Sequence, residues 1–555
     1  MDDVINGYHR RWWKEAVVYQ VYPRSFYDSN GDGVGDLEGL RRKLPHIKGL
    51  GVDVIWLSPH FDSPNADNGY DIRDYRKVMA EFGTIDDFDA VLTEAHALGI
   101  RLIVDLVVNH TSDEHAWFVD SRRARDSDTR DYYIWHSGKD GGPPNDWTSI
   151  FGGPAWTKDA TTGDYYLHLF DPKQPDLNWE NPAVRNEVYA LMRFWLDKGV
   201  DGFRMDVIPF ISKDQEFLDL PEQHVAKPQF VYANGPRVHE FLQEMRREAL
   251  SPYDTMTVGE AFGVTPQQVP DFIDERRGEL DMVFQFGAVE VDRGADGRWV
   301  PWKLPDLKAV FGRQEKQLDR HCWPAVFFSN HDNPRIVSRY GDDSSQWRVK
   351  SAKVMATLLL TMKGTPFIYQ GDELGMTNFP FSDISQFDDI WARNAYRDEV
   401  ENGEYSVGDF LANQNRLSRD HARTPMQWTA GAHGGFTTGT PWLAVNPNTS
   451  EINAENLGEG SIYAWYADLI HLRRTHTALV YGDYLDLMPD HPRLFAYRRT
   501  TEAEDFLILL NFDAGDQTFQ FPMNFPPGNI VMGNYPAPTN GAEPLRGWEA
   551  RIYRL

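Results

Sequence analysis

The chain has 555 residues, too many for one ordinary hydrophobic core, so we expect one large domain with one or two smaller units. Its 83 acidic and 56 basic residues give a formal net charge of -27, which disfavours nucleic acid and anionic membranes as partners. A small neutral or cationic molecule is the expected ligand. Cys322 is the single cysteine, which excludes an internal disulfide or a metal site built from several thiolates.

The sequence carries no recognisable export or membrane segment. Met1–Lys14 lacks a continuous apolar core followed by small residues, which a signal peptide requires. The apolar stretch Val354–Met362 is shorter than the roughly 18 residues of a membrane span and is flanked by Lys353 and Lys363. We therefore expect a cytoplasmic protein without membrane or nucleic-acid partners, acting as a monomer or a homodimer.

Eight short apolar runs, separated by helical patterns, follow one another along the chain. They are nearly continuous rather than alternating, which is typical of parallel strands covered on both faces. Repeated strand–helix alternation predicts the α/β class and a (β/α)8 TIM barrel. The runs are Val17–Val21, Val52–Leu57, Arg101–Val108, Gly202–Asp206, Met256–Glu260, Met282–Phe286, Ala325–Phe328 and Pro366–Tyr369, and helical segments include Asp86–Leu98, Ala183–Lys198, Gly235–Leu250 and Trp347–Met362.

Two regions break this rhythm. Val108–Leu177 is too long for an ordinary loop and rich in Gly, Pro, Trp and Asp, which predicts an inserted subdomain after strand 3. From Tyr484 onward, short alternating runs separated by turn residues predict a C-terminal antiparallel β-sandwich. These runs are Leu494–Arg498, Phe506–Asn511 and Thr518–Phe521. The expected boundaries are 1–108 and 179–483 for the barrel, 109–178 for the subdomain and 484–555 for the sandwich.

Polar residues follow four of the predicted strands, at the edge where barrel enzymes carry their catalytic groups. Three carboxylates around one pocket cannot all ionise cheaply, so the pKa of one should rise and provide a proton donor near neutral pH. Such a pair suits glycosidic cleavage, in which one carboxylate attacks carbon and another protonates the departing oxygen. The segments are Asp105–His110, Gly202–Asp206, Thr257–Glu260 and Phe328–Asp332.

The order and spacing of these segments resemble the signature segments of a known family. DLVVNH, GFRMD, TVGE and FFSNHD, with Gln174–Asn178 as a fifth, are similar to those of the α-amylase superfamily, glycoside hydrolase family 13, in its oligo-1,6-glucosidase and α-glucosidase subgroup. The resemblance implies that Asp206 is the nucleophile, Glu260 the general acid/base and Asp332 the third carboxylate that grips sugar hydroxyls. It further implies that Arg204 keeps the nucleophile ionised.

The resemblance also implies a blind pocket around the non-reducing glucose and therefore exo-action on short sugars. Asp67 would cap the sugar, Tyr70 would stack on it, and Arg423 would pair with Asp67. Aromatic walls suit the apolar faces of sugars, although Phe151 and Phe170 fit a core role equally well. The remaining implied sugar-binding residues are Gln174 and two hydrogen-bond donors, His110 and His331.

Linkage preference depends on the residue after the nucleophile. In relatives, valine at the position of Val207 accompanies α-1,6 preference, while threonine or smaller residues accompany α-1,4 or sucrose-directed action. A sucrose isomerase remains the alternative, because Phe262 and Phe286 are similar to that group's fructose clamp. Glu290, however, stands where those isomerases carry a basic residue. The sequence also leaves open an α-1,4-glucosidase, a sucrose hydrolase, a trehalose-phosphate hydrolase and a non-catalytic transporter partner.

A loop near the N-terminus has the spacing of a calcium site, with Gly33 at its tight turn. It departs from an EF-hand because Gly39 replaces the bidentate glutamate. A metal-free Asp/Asn turn is the alternative. By resemblance a structural Ca²⁺ or Mg²⁺ would be held by Asp28, Asn30, Asp32, the Val34 carbonyl and Asp36, and no organic cofactor is expected. Together these features predict an exo-acting retaining α-glucosidase that prefers α-1,6 linkages and transfers glucose when an alcohol replaces water.

Overall fold

The computed structural model describes residues 4–520, 528–537 and 544–555. The strands in these residues are β1 (Val4–Ile5), β2 (Tyr8–His9), β3 (Val18–Val21), β4 (Val54–Leu57), β5 (Phe61–Asp62), β6 (Asp74–Val78), β7 (Arg101–Leu106), β8 (Trp135–His136), β9 (Trp156–Lys158), β10 (Tyr165–Leu167), β11 (Gly202–Met205), β12 (Met256–Glu260), β13 (Met282–Phe284), β14 (Ala325–Val326), β15 (Thr365–Tyr369), β16 (Asp483–Asp486), β17 (Leu494–Thr500), β18 (Asp505–Asn511), β19 (Asn529–Gly533) and β20 (Ala550–Arg554).

The α-helices in the same residues are α1 (Trp12–Glu15), α2 (Leu37–Leu50), α3 (Ile85–Ala97), α4 (Ala116–Ser121), α5 (Pro182–Lys198), α6 (Gln229–Tyr232), α7 (Val238–Met245), α8 (Val269–Ile273), α9 (Leu304–Gln317), α10 (Ile336–Tyr340), α11 (Arg348–Thr361), α12 (Ile390–Ala395), α13 (Val407–Leu417), α14 (Asp420–Arg423), α15 (Ile462–Thr475) and α16 (Thr477–Tyr481). Across the described residues, no helix combines the length and apolar character that a membrane crossing needs.

Eight parallel strands form the barrel, in the spatial order β13, β12, β11, β7, β4, β3, β15, β14. Along this order each strand pairs in parallel with the next. The end strands β13 and β14 also contact each other, so the sheet returns on itself. The predicted (β/α)8 barrel is confirmed, with strands shorter than expected at several ends because the chain leaves the sheet before the polar loops begin.

Alternate residues of each barrel strand face the inside and the surrounding helices. In β4, for example, Val54 and Trp56 belong to the cluster inside the barrel, whereas Ile55 and Leu57 pack outward against the helices. Both faces are therefore covered, as the continuous apolar runs predicted. Gly202 opens β11 with φ +149°, and an added Cβ would lie 1.9 Å from the Met256 carbonyl oxygen, so only glycine fits there.

The two other predicted units flank the barrel. Between β7 and α5 the chain forms a three-stranded antiparallel sheet, in the order β8, β10, β9, whose cluster includes Trp147 and Trp156. After α16, five antiparallel strands form the C-terminal sheet, in the order β16, β17, β18, β20, β19. The inserted subdomain and the C-terminal antiparallel β structure are thus confirmed.

One predicted C-terminal strand was wrong within the described residues. Residues 518–520 do not form a strand, and Phe521 lies outside the described residues. The chain turns sharply after β18 instead, because the Asn511 side-chain amide donates to the Gly515 carbonyl at 2.8 Å. Between this turn and residue 520, Gln517 forms only an isolated bridge with Leu545.

Candidate active site

The carboxyl ends of the barrel strands and the inserted subdomain enclose a cavity of about 690 Å³. Its most enclosed part, called the inner pocket below, is formed by the buried side chains of Asp67, Tyr70, His110 and Asp206 and by Asp332, whose side chain is 26% exposed. Glu260, Val207, Phe151, Phe170, Phe262 and Phe286 also line the cavity. Four predicted site residues, Gln174, Arg204, His331 and Arg423, are buried behind this lining and support it.

Arg204 is the centre of the carboxylate cluster. It pairs in register with Asp105 of β7, so both side chains emerge at one level of the barrel. Its Nη1 donates to Asp105 Oδ1 at 2.7 Å and to Asp206 Oδ1 at 2.6 Å, while its Nη2 lies 2.7 Å from Glu260 Oε2. The Arg204 side chain is 1% exposed, so one desolvated guanidinium fixes the relative positions of three carboxylates.

Burial raises the pKa of the Glu260 and Asp206 carboxyls, both of which contact Arg204. It raises the pKa of Glu260 to about 7, against the opposing charge of Arg204 and with support from the Asp206 and Asp332 carboxylates. Burial raises the pKa of Asp206 to about 6, again opposed by Arg204. Arg204 therefore limits the rise at Asp206 without cancelling it. Near pH 6.5 the site favours an ionised Asp206 beside a protonated Glu260, with the titration shared by the coupled pair.

Val207 holds the acid carboxylate through its backbone. Its φ of 32° and ψ of 40° lie in the left-handed region, which a β-branched residue rarely adopts. In this conformation the Val207 N–H donates to Glu260 Oε2 at 3.1 Å. The strained turn thus links the nucleophile-bearing segment to the second carboxylate. The Val207 side chain lines the cavity directly beside Asp206.

Asp332 is held as an anion by three partners. His331 Nε2 lies 2.9 Å from Asp332 Oδ2, and Arg423 Nη2 and Arg419 Nη1 donate to Oδ1 at 2.9 and 3.2 Å. Burial opposes ionisation, but these partners hold the pKa of Asp332 well below its usual range. His331 Nδ1 accepts from Gln20 at 2.9 Å, so Nε2 carries the proton given toward Asp332.

The predicted pairing of Arg423 with Asp67 was wrong. The ion-pair partner of Asp67 is Arg419, whose Nη2 lies 3.6 Å from Asp67 Oδ1. Arg419 immediately precedes the short helix α14 and lines the cavity, whereas Arg423 lies one turn later and is buried behind Asp332. Burial raises the pKa of Asp67 to about 7 despite the two arginines.

His110 and Gln174 stabilise the inner pocket through hydrogen bonds to its other residues. His110 Nε2 donates to the Tyr70 carbonyl at 3.1 Å, and burial lowers the pKa of His110 to about 4, so the imidazole is neutral. Gln174 Nε2 donates to Asp67 Oδ2 at 3.2 Å. The Tyr70 ring stacks on His331 with centroids 5.1 Å apart, and its buried hydroxyl has no partner in the described residues. That hydroxyl is available to a ligand.

Two aromatic pairs form the apolar walls. Phe151 and Phe170 pack edge to face with centroids 5.4 Å apart, and Phe262 and Phe286 lie 5.4 Å apart. All four line the cavity. Phe151 and Phe170 are also buried in the core of the inserted subdomain, so the core and wall interpretations both hold.

The sequence-based prediction missed several charged and aromatic lining residues. They include Lys227, Arg293, Trp391, Asp398 and Arg419, together with Asn333. Most belong to segments without a recognisable motif, which explains the omission. Arg419 is different, since it stands four residues before the predicted Arg423 and helical spacing could have identified it.

The predicted metal loop folds as a series of tight side-chain turns. The Asp28 carboxylate accepts backbone N–H groups of Asn30, Gly31 and Gly33 at 2.9, 2.7 and 2.8 Å. Among the residues that the structure describes, no three His, Cys, Asp or Glu side chains are grouped to hold a metal. An ion here would therefore need amide and carbonyl oxygens as well, a donor set that suits a hard cation.

Comparisons with known proteins agree with this geometry. The alpha-amylase catalytic-domain family profile matches residues 20–482. The oligo-1,6-glucosidase of Parageobacillus thermoglucosidasius is 51% identical over 560 residues, covering 98% of this chain and 99% of its own.

Two solved structures are also similar to this chain over nearly its whole length. The trehalulose synthase of Pseudomonas mesoacidophila MX-45 has a TM-score of 0.96 at 47% identity, and an isomaltulose synthase mutant of Erwinia rhapontici NX5 in complex with D-glucose has 0.97 at 46%. Each comparison covers 98% of this chain and 99% of the solved one. The chain belongs to the alpha-amylase catalytic-domain family.

Proposed function

We propose that this protein is an exo-acting retaining α-glucosidase that releases α-glucose from short α-1,6-linked glucosides such as isomaltose. The observation that carries the proposal is the Arg204 guanidinium, which holds the Asp206 and Glu260 carboxylates through two nitrogens of one plane. Neighbouring carboxyls suit the retaining mechanism, which requires a separation of roughly 5–5.5 Å. Four oligo-1,6-glucosidases that are 48–51% identical over 98% of the chain support the α-1,6 linkage.

In the first step, ionised Asp206 attacks the anomeric carbon while protonated Glu260 gives its proton to the departing glycosidic oxygen. The raised pKa of Glu260, about 7, keeps that proton available near neutral pH. The product is a β-glucosyl ester on Asp206 and a free alcohol. Asp332, held as an anion by His331 and two arginines, accepts hydrogen bonds from the glucose hydroxyls.

In the second step, Glu260, now a carboxylate, removes a proton from water, which attacks the ester and releases α-glucose. A sugar hydroxyl in place of water gives transglucosylation. The Val207 N–H and Arg204 hold Glu260 in place through both steps, so the same group serves as acid and then as base.

Exo-action follows from the closed inner pocket. Asp67 and Arg419 lie at its end, and Asp389 holds Arg419 Nη2 at 2.5 Å. A chain that continued beyond the bound glucose would have to displace this buried ion pair. The pocket therefore accepts a terminal glucose.

A sucrose isomerase is the second candidate. Solved structures similar in fold include trehalulose and isomaltulose synthases, and the close pair Phe262 and Phe286 offers an apolar clamp for a released ketose. Glu290 also lines the cavity, where its carboxylate faces the basic side chains of Arg293 and Lys227.

Product analysis separates the two. Purified protein is incubated with isomaltose, maltose and sucrose, with Asp206→Asn as the inactive control. The proposal is supported if isomaltose yields much more glucose than maltose does and if the glucose is first released as the α-anomer. Isomaltulose or trehalulose from sucrose establishes the isomerase instead, and a β-anomer as first product contradicts the retaining step.

We further propose a structural Ca²⁺ or Mg²⁺ in the 28–36 loop, held by Asp28, Asn30, Asp32, the Val34 carbonyl and Asp36. The ion would stabilise the loop and take no part in the reaction. Exhaustive chelation should lower the Tm, and added Ca²⁺ should restore it. An unchanged Tm with full activity contradicts this site. A cytoplasmic location and a monomer or homodimer are proposed as well, and cell fractionation and light scattering test them.

A further inference from the structure

One face of a helix forms part of the cavity beyond the inner pocket. Helix α12 continues as a π-helix over Tyr396–Val400. Four residues of this continuous segment line the cavity, at spacings of four, seven and eight residues that place them on one helical face. We call this face the helical wall: Trp391, Ala395, Asp398 and Glu399.

The helical wall lies at the open end of the cavity. Trp391 is 40% exposed, whereas Asp67, Tyr70 and Asp206 of the inner pocket are 6%, 6% and 7% exposed. In an exo-acting enzyme the non-reducing glucose fills the closed end, and the aglycone leaves through the open end. The helical wall is therefore placed to meet the aglycone.

The position of Trp391 is fixed by the ion pairs of the inner pocket. Asp389 caps α12 by accepting the Trp391 N–H at 3.0 Å, and Arg419 binds the same Asp389 carboxylate. Arg419 also pairs with Asp67 and Asp332. The Trp391 ring lies 6.4 Å from Phe151, at an angle of 44°. The indole is thus presented from a rigid base next to the inner pocket.

On this basis, which rests on the proposed glucosidase function, we propose that Trp391 is a stacking platform for the aglycone sugar. A sugar offers an apolar face and a rim of hydroxyls, and the helical wall offers an aromatic ring with two carboxylates on the same side. Lys227 and Arg293 also line the cavity, and their charges act on the Glu290 carboxylate in the same lining. These three side chains offer donors and acceptors for sugar hydroxyls.

The test compares substrates that differ only in the aglycone. Isomaltotriose carries a disaccharide aglycone, whereas α-glucosyl fluoride carries none that could stack. Trp391→Ala should lower kcat/KM for isomaltotriose roughly two- to tenfold, the effect of one aromatic contact, and leave that for α-glucosyl fluoride unchanged. Trp391→Phe should restore most of the loss. The ratio of transfer to hydrolysis should fall as well, because a sugar acceptor uses the same platform.

Trp299→Ala is the matched control, since Trp299 is 36% exposed and lines a separate cavity of about 270 Å³. It should change neither substrate. Equal losses on both substrates with Trp391→Ala would assign Trp391 a structural role, and no loss on either would exclude the platform. Failure of the glucosidase function itself would be visible in the unmodified enzyme, which would then release no glucose from isomaltotriose.

Discussion

The inner pocket and the helical wall use charge in opposite ways. Behind the inner pocket, Arg204 is 1% exposed and binds Asp206 of that pocket at 2.6 Å, so the charges are desolvated and fixed before a ligand arrives. In the helical wall, the Asp398 side chain is 43% exposed and pairs with an Arg397 that is 58% exposed. Buried charges provide large, directional interactions, while exposed pairs contribute little. Chemistry belongs to the first region and adjustable sugar binding to the second.

The sharpest way to break this comparison is to replace one arginine of each region by lysine. Arg204→Lys keeps the charge but loses the planar guanidinium that reaches three carboxylates, so kcat should fall roughly 10²–10³-fold. Arg397→Lys, whose exposed side chain pairs with Asp398 of the helical wall, should change kcat/KM less than about threefold. Steady-state kinetics on isomaltose measure both. Equal losses would mean that the two regions do not differ.

Arg204→Lys also requires a folding control, because three buried carboxylates depend on this side chain. A thermal melt and a circular-dichroism spectrum distinguish misplacement of the carboxylates from unfolding. A variant that retains its fold but loses kcat supports the role assigned to Arg204.

The two arginines near Asp332 should separate binding from stability. Arg419→Ala removes the partner of Asp67 at the end of the inner pocket, so KM for isomaltose should rise roughly 10–100-fold, the effect of a charged hydrogen bond. Arg423→Ala removes a buried guanidinium that binds Asp332 and should reduce stability by about 3–5 kcal/mol. Kinetics and urea unfolding measure these effects. A raised KM with unchanged stability in Arg423→Ala would contradict this division and give Arg423 a role in substrate binding, through Asp332.

The pH profile tests the proton assignment. Activity requires ionised Asp206 and protonated Glu260, so kcat/KM should fall as the pH drops below about 6 and as it rises above about 7. The expected profile is a narrow bell. Asp67, with a pKa of about 7, is a competing source of the acid limb because protonation weakens its ion pair with Arg419. If Asp206 and Glu260 set the two limbs of the pH profile, kcat/KM of the Asp67→Asn variant should still fall at both low and high pH.

The sequence predicted the barrel and the catalytic cluster because both depend on local patterns. Apolar runs such as Val54–Leu57 are continuous in the sequence, and Asp206 and Glu260 stand at strand ends that the barrel brings together. The pairing in register of Arg204 and Asp105 follows from the same barrel.

The rest depends on how long loops return to the barrel, which no local pattern records. Helical spacing makes Arg419 a candidate beside Arg423, four residues later, but only the packing decides which side chain reaches Asp67. Trp391 lies in a segment between β15 and α13 that carries no motif, so its place in the cavity depends on the ion pairs of Asp389. These contacts are long-range and charged, and sequence periodicity does not encode them.

The smallest expected effect concerns linkage, at the border between the two regions. Val207 lines the cavity beside Asp206, and its backbone is in a left-handed conformation. Threonine is β-branched like valine and would be equally strained in this conformation. Val207→Thr therefore changes the side chain while preserving the backbone. The ratio of kcat/KM for isomaltose to that for maltose should fall roughly tenfold, within the range of discrimination by one small group.

Val207→Gly is the control, because glycine adopts this conformation without strain and still donates its N–H to Glu260. If glycine shifts the ratio as threonine does, loss of the valine methyl groups is sufficient. If only threonine shifts it, the hydroxyl selects the linkage, and an unchanged ratio in both variants would move linkage preference away from Val207 to the outer cavity lining.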